Sequence, residues 1–155
     1  MTIERKLEQD IVTALSQLEE LNTNAQIVTA RGAAQAGETK TEDDIKPSIV
    51  AVAAGFRMND AFSLSPITIP VSISIVTRTE LDPTSEIHDR IMEAISDLLS
   101  RWHKYGDEMT SALTSDKFFA GELRMDGGPG RTCDRTTNAW TEVIRISIRG
   151  SEKFT

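Results

Sequence analysis

Along residues 3–21, apolar side chains return at Ile3, Leu7, Ile11, Ala14, Leu15, Leu18 and Leu21, with charges between them. That spacing predicts one amphipathic helix with a single buried stripe. Thr2 stands where an N-cap belongs, and Asn22-Thr-Asn24 reads as the stop. A second helical stripe, from Ile87 through Ile91, Ala94, Ile95, Leu98 and Leu99 to Trp102, follows Asp82-Pro83. Asp82 is placed to cap it, Pro83 suits a first helical position, and Glu86 favours the positive end of the dipole. Gly106 is expected to close this helix, leaving residues 107–117 as a loop with room for one helical turn.

Elsewhere the period drops to two. Ala25–Arg31 reads as a short strand closed by Gly32, and Ser48–Ala54, after Pro47, as a strand of small and branched residues fit for burial on both faces. In Ile67–Ile75 every odd position is a branched aliphatic and every even one small or polar, a strand that continues to Arg78. Pro70 cannot donate to a ladder, so its nitrogen must face an edge, a bulge or a strand end. That predicts a long strand only partly paired within its own sheet. Phe118–Met125 and Trp140–Ile148 read as the arms of a hairpin whose glycine-rich insert, 126–139, is too long for a tight turn. Ile144, Ile146 and Ile148 point one way, Val143, Arg145, Ser147 and Arg149 the other, and Gly150 ends the strand.

The expected order is α, β, β, β, α, β, β. It describes a single α+β domain over residues 1–155, with an antiparallel or mixed sheet packed by an N-terminal and a central helix. Segments 32–46, 56–66, 105–117 and 126–138 are its expected flexible loops.

Composition narrows the function classes. The chain of 155 residues is 39% hydrophobic and 26% charged, as soluble globular domains are. No apolar run approaches the roughly 20 residues that span a bilayer. The start, MTIERKLEQD, lacks a basic-then-apolar signal layout, so an intracellular protein is expected. Cys133 is the only cysteine, which excludes an internal disulfide and a cysteine-built zinc cluster. A net charge of −7 argues against a dedicated nucleic-acid binder, while suiting a surface that DNA passes without sticking.

Reactive chemistry finds little footing. Asp126-Gly-Gly-Pro-Gly-Arg-Thr132 lacks the lysine and the following helix of a phosphate loop, and reads as a hairpin tip. A calcium loop fails for want of its alternating ligands and terminal glutamate. His88 and His103 sit near opposite ends of one helix and cannot share a metal. His88-Asp89 has the makings of an acid/base pair, but His88 reads as an ordinary surface or interface histidine. Cys133 lies near Arg131 and Arg135, which would lower a thiol pKa, yet nothing in the glycine-rich loop orders it or supplies an oxyanion hole. Trp102 and Trp140 fall in apolar patterns and are read as core. We therefore expect no enzyme, no catalytic residue, no cofactor and no metal.

What remains suggests contacts with other chains. Phe56, Met58, Phe62 and Leu64 crowd an irregular connection, where exposure on a monomer would be a liability. Arg57 lies among them. Thr68, Ser72 and Ser74 give the strand a second face suited to close, hydrated contact. Arg124, Arg131 and Arg135 can grip a partner's carboxylate in fork geometry.

Several blocks together resemble the tail terminator, or tail-completion, proteins of tailed bacteriophages. They are the N-terminal amphipathic helix, Pro47-Ser-Ile-Val-Ala-Val before an apolar strand, PITIPVSISIVTR leading to Leu81-Asp-Pro-Thr-Ser-Glu, and the closing hairpin ELRMDGGPGRTCDRTTNAWTEVIRISIRG. The resemblance covers most of the chain, but it is one of shape and carries no sharp motif. It implies a small α+β virion protein of the tail neck, found in the host cytoplasm during assembly. Such proteins form a ring, usually a hexamer, that ends tail-tube polymerisation. Its partners would be copies of itself, the tail-tube protein and the head-completion or connector protein, with DNA passing through the lumen unbound and no membrane involved. The competing expectations are another minor tail, tube or neck component, and a cytoplasmic small-ligand-binding or regulatory domain.

Overall fold

The computed structural model describes residues 1–30, 48–59 and 66–153. The expected loop 32–46, the middle of 56–66, Phe62, Leu64 and the end of the first strand at Arg31 lie outside the described residues.

The first helix, α1 (Ile3–Ser16), starts where expected. Thr2 is extended, and its hydroxyl accepts from the Arg5 N–H at 3.2 Å. The helix does not run to Leu21. Thr13 and Ser16 donate their hydroxyls to the Gln9 and Val12 carbonyls, at 2.9 and 2.7 Å, a bond that competes with helical hydrogen bonding and bends helices. The chain then restarts as α2 (Glu19–Asn24) and enters β1 (Ala25–Thr29) with no stop between. Leu21 would face the same side of a straight helix, so the apolar period hides the break.

Strands β2 (Ser48–Ala54), β3 (Met58–Asn59) and β4 (Pro66–Arg78) follow. Next come α3 (Glu86–Lys104) and α4 (Gly106–Leu113). The chain closes with β5 (Phe118–Gly127), β6 (Thr132–Asp134) and β7 (Ala139–Glu152). The sheet runs β1-β2-β4-β7-β5, with β3 beside β4 and β6 beside β7. Only β1 and β2 pair in parallel, so the sheet is mixed and the fold is α+β, as the sequence indicated.

The expectation of a partly paired β4 is corrected. All 13 of its residues pair with β7, and its other side carries β2 from Val71 to Thr77 and β3 at Ile67 and Thr68. Pro70 is tolerated at the gap between those two neighbours, where the Gly55 N–H donates to its carbonyl at 2.7 Å. The amide and carbonyl of a strand residue point to the same side, so the N–H that Pro70 lacks would face that gap. A proline can thus sit in a central strand when the ladder breaks beside it.

Other corrections are local. α3 begins at Glu86 rather than Pro83, after Ser85 in the left-handed region. Asp82 still caps it, since its carboxylate accepts from the Ile87 and His88 N–H groups at 3.0 and 2.9 Å. Of the expected loop 107–117, with its room for one helical turn, residues up to Leu113 form α4, which buries Met109 and Leu113, a helical pair visible in the sequence, and only 114–117 stay irregular. β2 is buried on one face only, through Val50 and Val52. Gly150 lies inside β7, where a Cβ would stand 2.0 Å from the Phe119 carbonyl oxygen and 2.7 Å from the Phe118 ring. The insert after β5 is ordered by β6, so Cys133 sits on a short strand and not in an unstructured tip.

The described helices cover one face of the sheet. α1 rests on β1 and β2, α3 on β4 and β5, and α4 on β5 and α1. Ile69, Ile73 and Ile75 of β4 and Ile146 and Ile148 of β7 are fully buried beneath them. Among the described residues the core therefore lies between helices and sheet.

Candidate interaction surface

The residues alternating with that core form the other face. Across β2, β4 and β7 they align in rows: Ala53 beside Ser72 beside Arg145, and Ala51 beside Ser74 beside Val143. The next rows toward the β3 end are Pro70 beside Ser147, and Thr68 beside Arg149 beside Glu122 of β5. Most of these side chains are half-exposed, and no described helix covers them. Small hydroxyl and methyl groups make the centre flat. Arginines gather toward the β7–β5 side, where a hollow of about 400 Å³ lies between Met58 and Thr68 on one bank and Glu122, Arg124 and Arg149 on the other. Its floor holds Ser147, whose hydroxyl bonds the Asp126 carboxylate.

Exposed apolar groups flank this face. Phe56, in the link between β2 and β3, is 93% exposed and Met58 57%. Phe119 of β5, opposite Ser151 and so on the open side, is also exposed. Water contact at a phenylalanine that open forgoes on the order of 1.5–3 kcal/mol of burial, which a partner surface can recover.

Besides Phe56, the sequence singled out ten contact residues, and the structure separates the eight that it describes. Met58, Thr68, Ser72, Ser74 and Arg124 share the open face. Arg57 turns toward the helix side, pairing with Glu4 at 2.8 Å and Glu152 at 3.2 Å, and so ties α1 to the end of β7. Burial pushes the Glu4 carboxyl up, but the hydrogen bond and charge of Arg57 outweigh it and hold the group below the usual 4.5. The same bond is the main reason the Arg57 guanidinium is raised. Arg131 anchors the insert to the start of α3 through Asp89 and the Ser85 hydroxyl, the latter at 2.7 Å, and reaches Glu142 at 3.5 Å. Arg135 is exposed in the turn between β6 and β7.

His88 is the largest departure from the sequence reading. It is 0% exposed, and both ring nitrogens are engaged: Nδ1 lies 3.1 Å from the Thr77 hydroxyl and Nε2 3.0 Å from the Glu142 carboxylate. Ser48 donates to Thr77 at 3.2 Å, extending the chain of bonds. A neutral ring with its proton on Nε2 satisfies every member, because Glu142 accepts and Thr77 then donates to Nδ1. The hint was Thr77, which breaks the run of aliphatics on the buried face of β4 and so calls for a polar partner. Trp102 is buried as expected, while Trp140 is half-buried with its indole N–H on the Asp82 carbonyl at 2.9 Å. Among the described residues no group of three or more His, Cys, Asp or Glu side chains is arranged to hold a metal, and no helix is long and apolar enough to cross a membrane.

No protein-family model matches the chain, and no curated protein matches its sequence.

Proposed function

We propose that this protein is a structural subunit that works by assembling, as a ring-forming tail terminator or neck protein of a tailed phage. Copies of the chain would form the ring, and the ring would cap the tail tube and meet the head connector. The observation that carries this reading is the open sheet face: a wide, flat, small-residue surface bordered by arginines and by exposed Phe56 and Met58. A domain that acted alone would gain by covering such a surface. The shape-level resemblance of its blocks to tail terminators points the same way. The net charge of −7 suits a passage that DNA crosses without being held. The reading gives no chemical role to His88, whose ring is sealed from solvent and fully engaged.

The test is to mix the purified protein with phage tail tubes and image them by electron microscopy. Rings seated at one end of the tubes, with tube growth halted there, are the expected result. Unrestricted tube growth at high protein concentration, with no density added to either end, overturns the proposal.

A further inference from the structure

Charge is unevenly divided between the two sides of the molecule. The four described helices carry eleven acidic against five basic side chains, histidines aside, so most of the net negative charge rides on the helix layer. The open sheet face instead presents Arg124, Arg145 and Arg149 against Glu122 and Asp126. The two layers thus have opposite local character within one small chain.

Many of the charges are satisfied internally. Glu4 and Glu152 hold Arg57, Asp89 and Glu142 hold Arg131, Lys6 pairs with Asp10, and Arg101 with Glu108. Among the described charges left without an ion pair, two groups lie where the two layers could meet. On the sheet face Arg145 is exposed at the β7 end of its row, beside Ser72, and has no ion-pair partner among the described residues. On the helix layer Glu93 and Asp97 are exposed one turn apart on the outer side of α3, opposite its buried stripe of Ile91, Ile95 and Leu98, and likewise have none. Glu86, two turns before Glu93 on the same side, is paired with Arg90, and Arg101, one turn after Asp97, with Glu108, which leaves Glu93 and Asp97 as the open acidic pair of that side.

We infer that a second copy of this chain docks on the open sheet face through Glu93 and Asp97 on the outer side of its α3. The contact is heterologous: the sheet of one copy meets the helix layer of the next, and each copy keeps one face of each kind. The small residues of β2 and β4, Ala51, Ala53, Ser72 and Ser74, let a helix approach closely, much as small side chains do wherever a helix lies on a sheet. Arg145 then meets Glu93 and Asp97 in the low-dielectric centre of the contact, where charge complementarity fixes register and orientation. A head-to-tail contact of this kind closes into a ring if its rotation allows and otherwise extends as a filament. This inference rests on the assembly reading above and adds to it which surfaces meet.

The experiment uses the full chain and two charge-reversed variants, R145E/R149E on the sheet and E93K/D97K on α3. Sedimentation velocity across a concentration series reads association, and circular dichroism with thermal melting confirms that each variant is folded. Wild-type protein should associate, and more weakly as salt rises, since screening shortens from about 10 Å at 0.1 M to about 3 Å at 1 M. Each variant alone should lose at least about tenfold in association constant. An equimolar mixture of the two should regain it, because each reversed face then meets its complement on the other protein.

Wild-type association that either variant leaves untouched overturns the inference without touching the assembly reading. Loss with R145E/R149E alone, E93K/D97K behaving as wild type, points to a sheet-to-sheet contact and also overturns it. A melting temperature lowered by R145E/R149E with unchanged association means that this chain's own residues cover the face, and again the inference fails. Retardation of wild-type protein by DNA, lost in R145E/R149E while association persists, would make a polyanion the occupant instead. A wild-type protein that stays monomeric both at high concentration and with tail tubes removes the assembly reading as well.

Discussion

The two faces of one sheet are built from the same strands, yet they obey different rules. Beneath the helices, β4 contributes Ile67, Ile69, Val71, Ile73 and Ile75, all buried. On the opposite face the same strand offers Thr68, Pro70, Ser72 and Ser74, all half-exposed. The covered face tolerates polarity only where it is fully satisfied, as at Ser48, Thr77 and His88, whose hydrogen bonds close on one another and on Glu142. The open face has no such closure beside Ser72, where Arg145 of β7 stands without an ion-pair partner among the described residues. Stability is therefore concentrated on one side of the sheet, and the capacity to meet another molecule on the other.

Substitutions can break that contrast or sharpen it. The largest effect belongs to the covered face: Ile73→Ala should cost about 2–5 kcal/mol through lost burial and a residual cavity, read as a lowered denaturant midpoint. Gly150→Ala should come next, at about 1–3 kcal/mol or more, because its Cβ would collide with the Phe119 carbonyl and force β5 away from β7. His88→Ala should cost at least about 1–3 kcal/mol, leaving Glu142 and Thr77 short of a partner in a buried site. His88→Gln, which can serve both neighbours, should recover part of that loss in the same melts.

Smaller effects lie at the border and on the open face. Glu4 is held below its usual pKa, so it adds stability above about pH 4.5 that is lost as pH falls through the depressed folded value. Glu4→Gln should remove that acid-limb dependence from melts taken between neutral pH and about pH 3, at a neutral-pH cost of about 1 kcal/mol for this part-buried pair at the surface. Ser74→Ala should change monomer stability by no more than about 0.5 kcal/mol. Equal losses for Ile73→Ala and Ser74→Ala would erase the distinction between the faces.

The contrast itself was legible in the sequence, because a period of two records which side of a strand is buried and helical stripes record what covers it. β4 and the hairpin arms could be read for that reason, and the Thr2 cap from its place before the first stripe, whereas β2, read as fit for burial on both faces, was not. What escaped reading depended on partners distant in the chain. Pro70 looked incompatible with a central strand because the break between β2 and β3 beside it is a tertiary feature. His88 looked like a surface residue because Thr77 and Glu142, its partners, are brought to it by the sheet. Arg57 and Arg131 looked free for the same reason, and each is engaged by carboxylates far away in sequence. Phe62 and Leu64 keep the standing they had in the sequence, since they lie outside the described residues.

The central claim, that the uncovered face is where copies meet, is tested most directly by thiol labelling at its middle. Cys133 is exposed and would react too, so the probe is Ser74→Cys in a Cys133→Ser background. The account predicts fast modification in dilute protein and a rate that falls as sedimentation shows the chains associating. A rate that stays constant while they associate would contradict it.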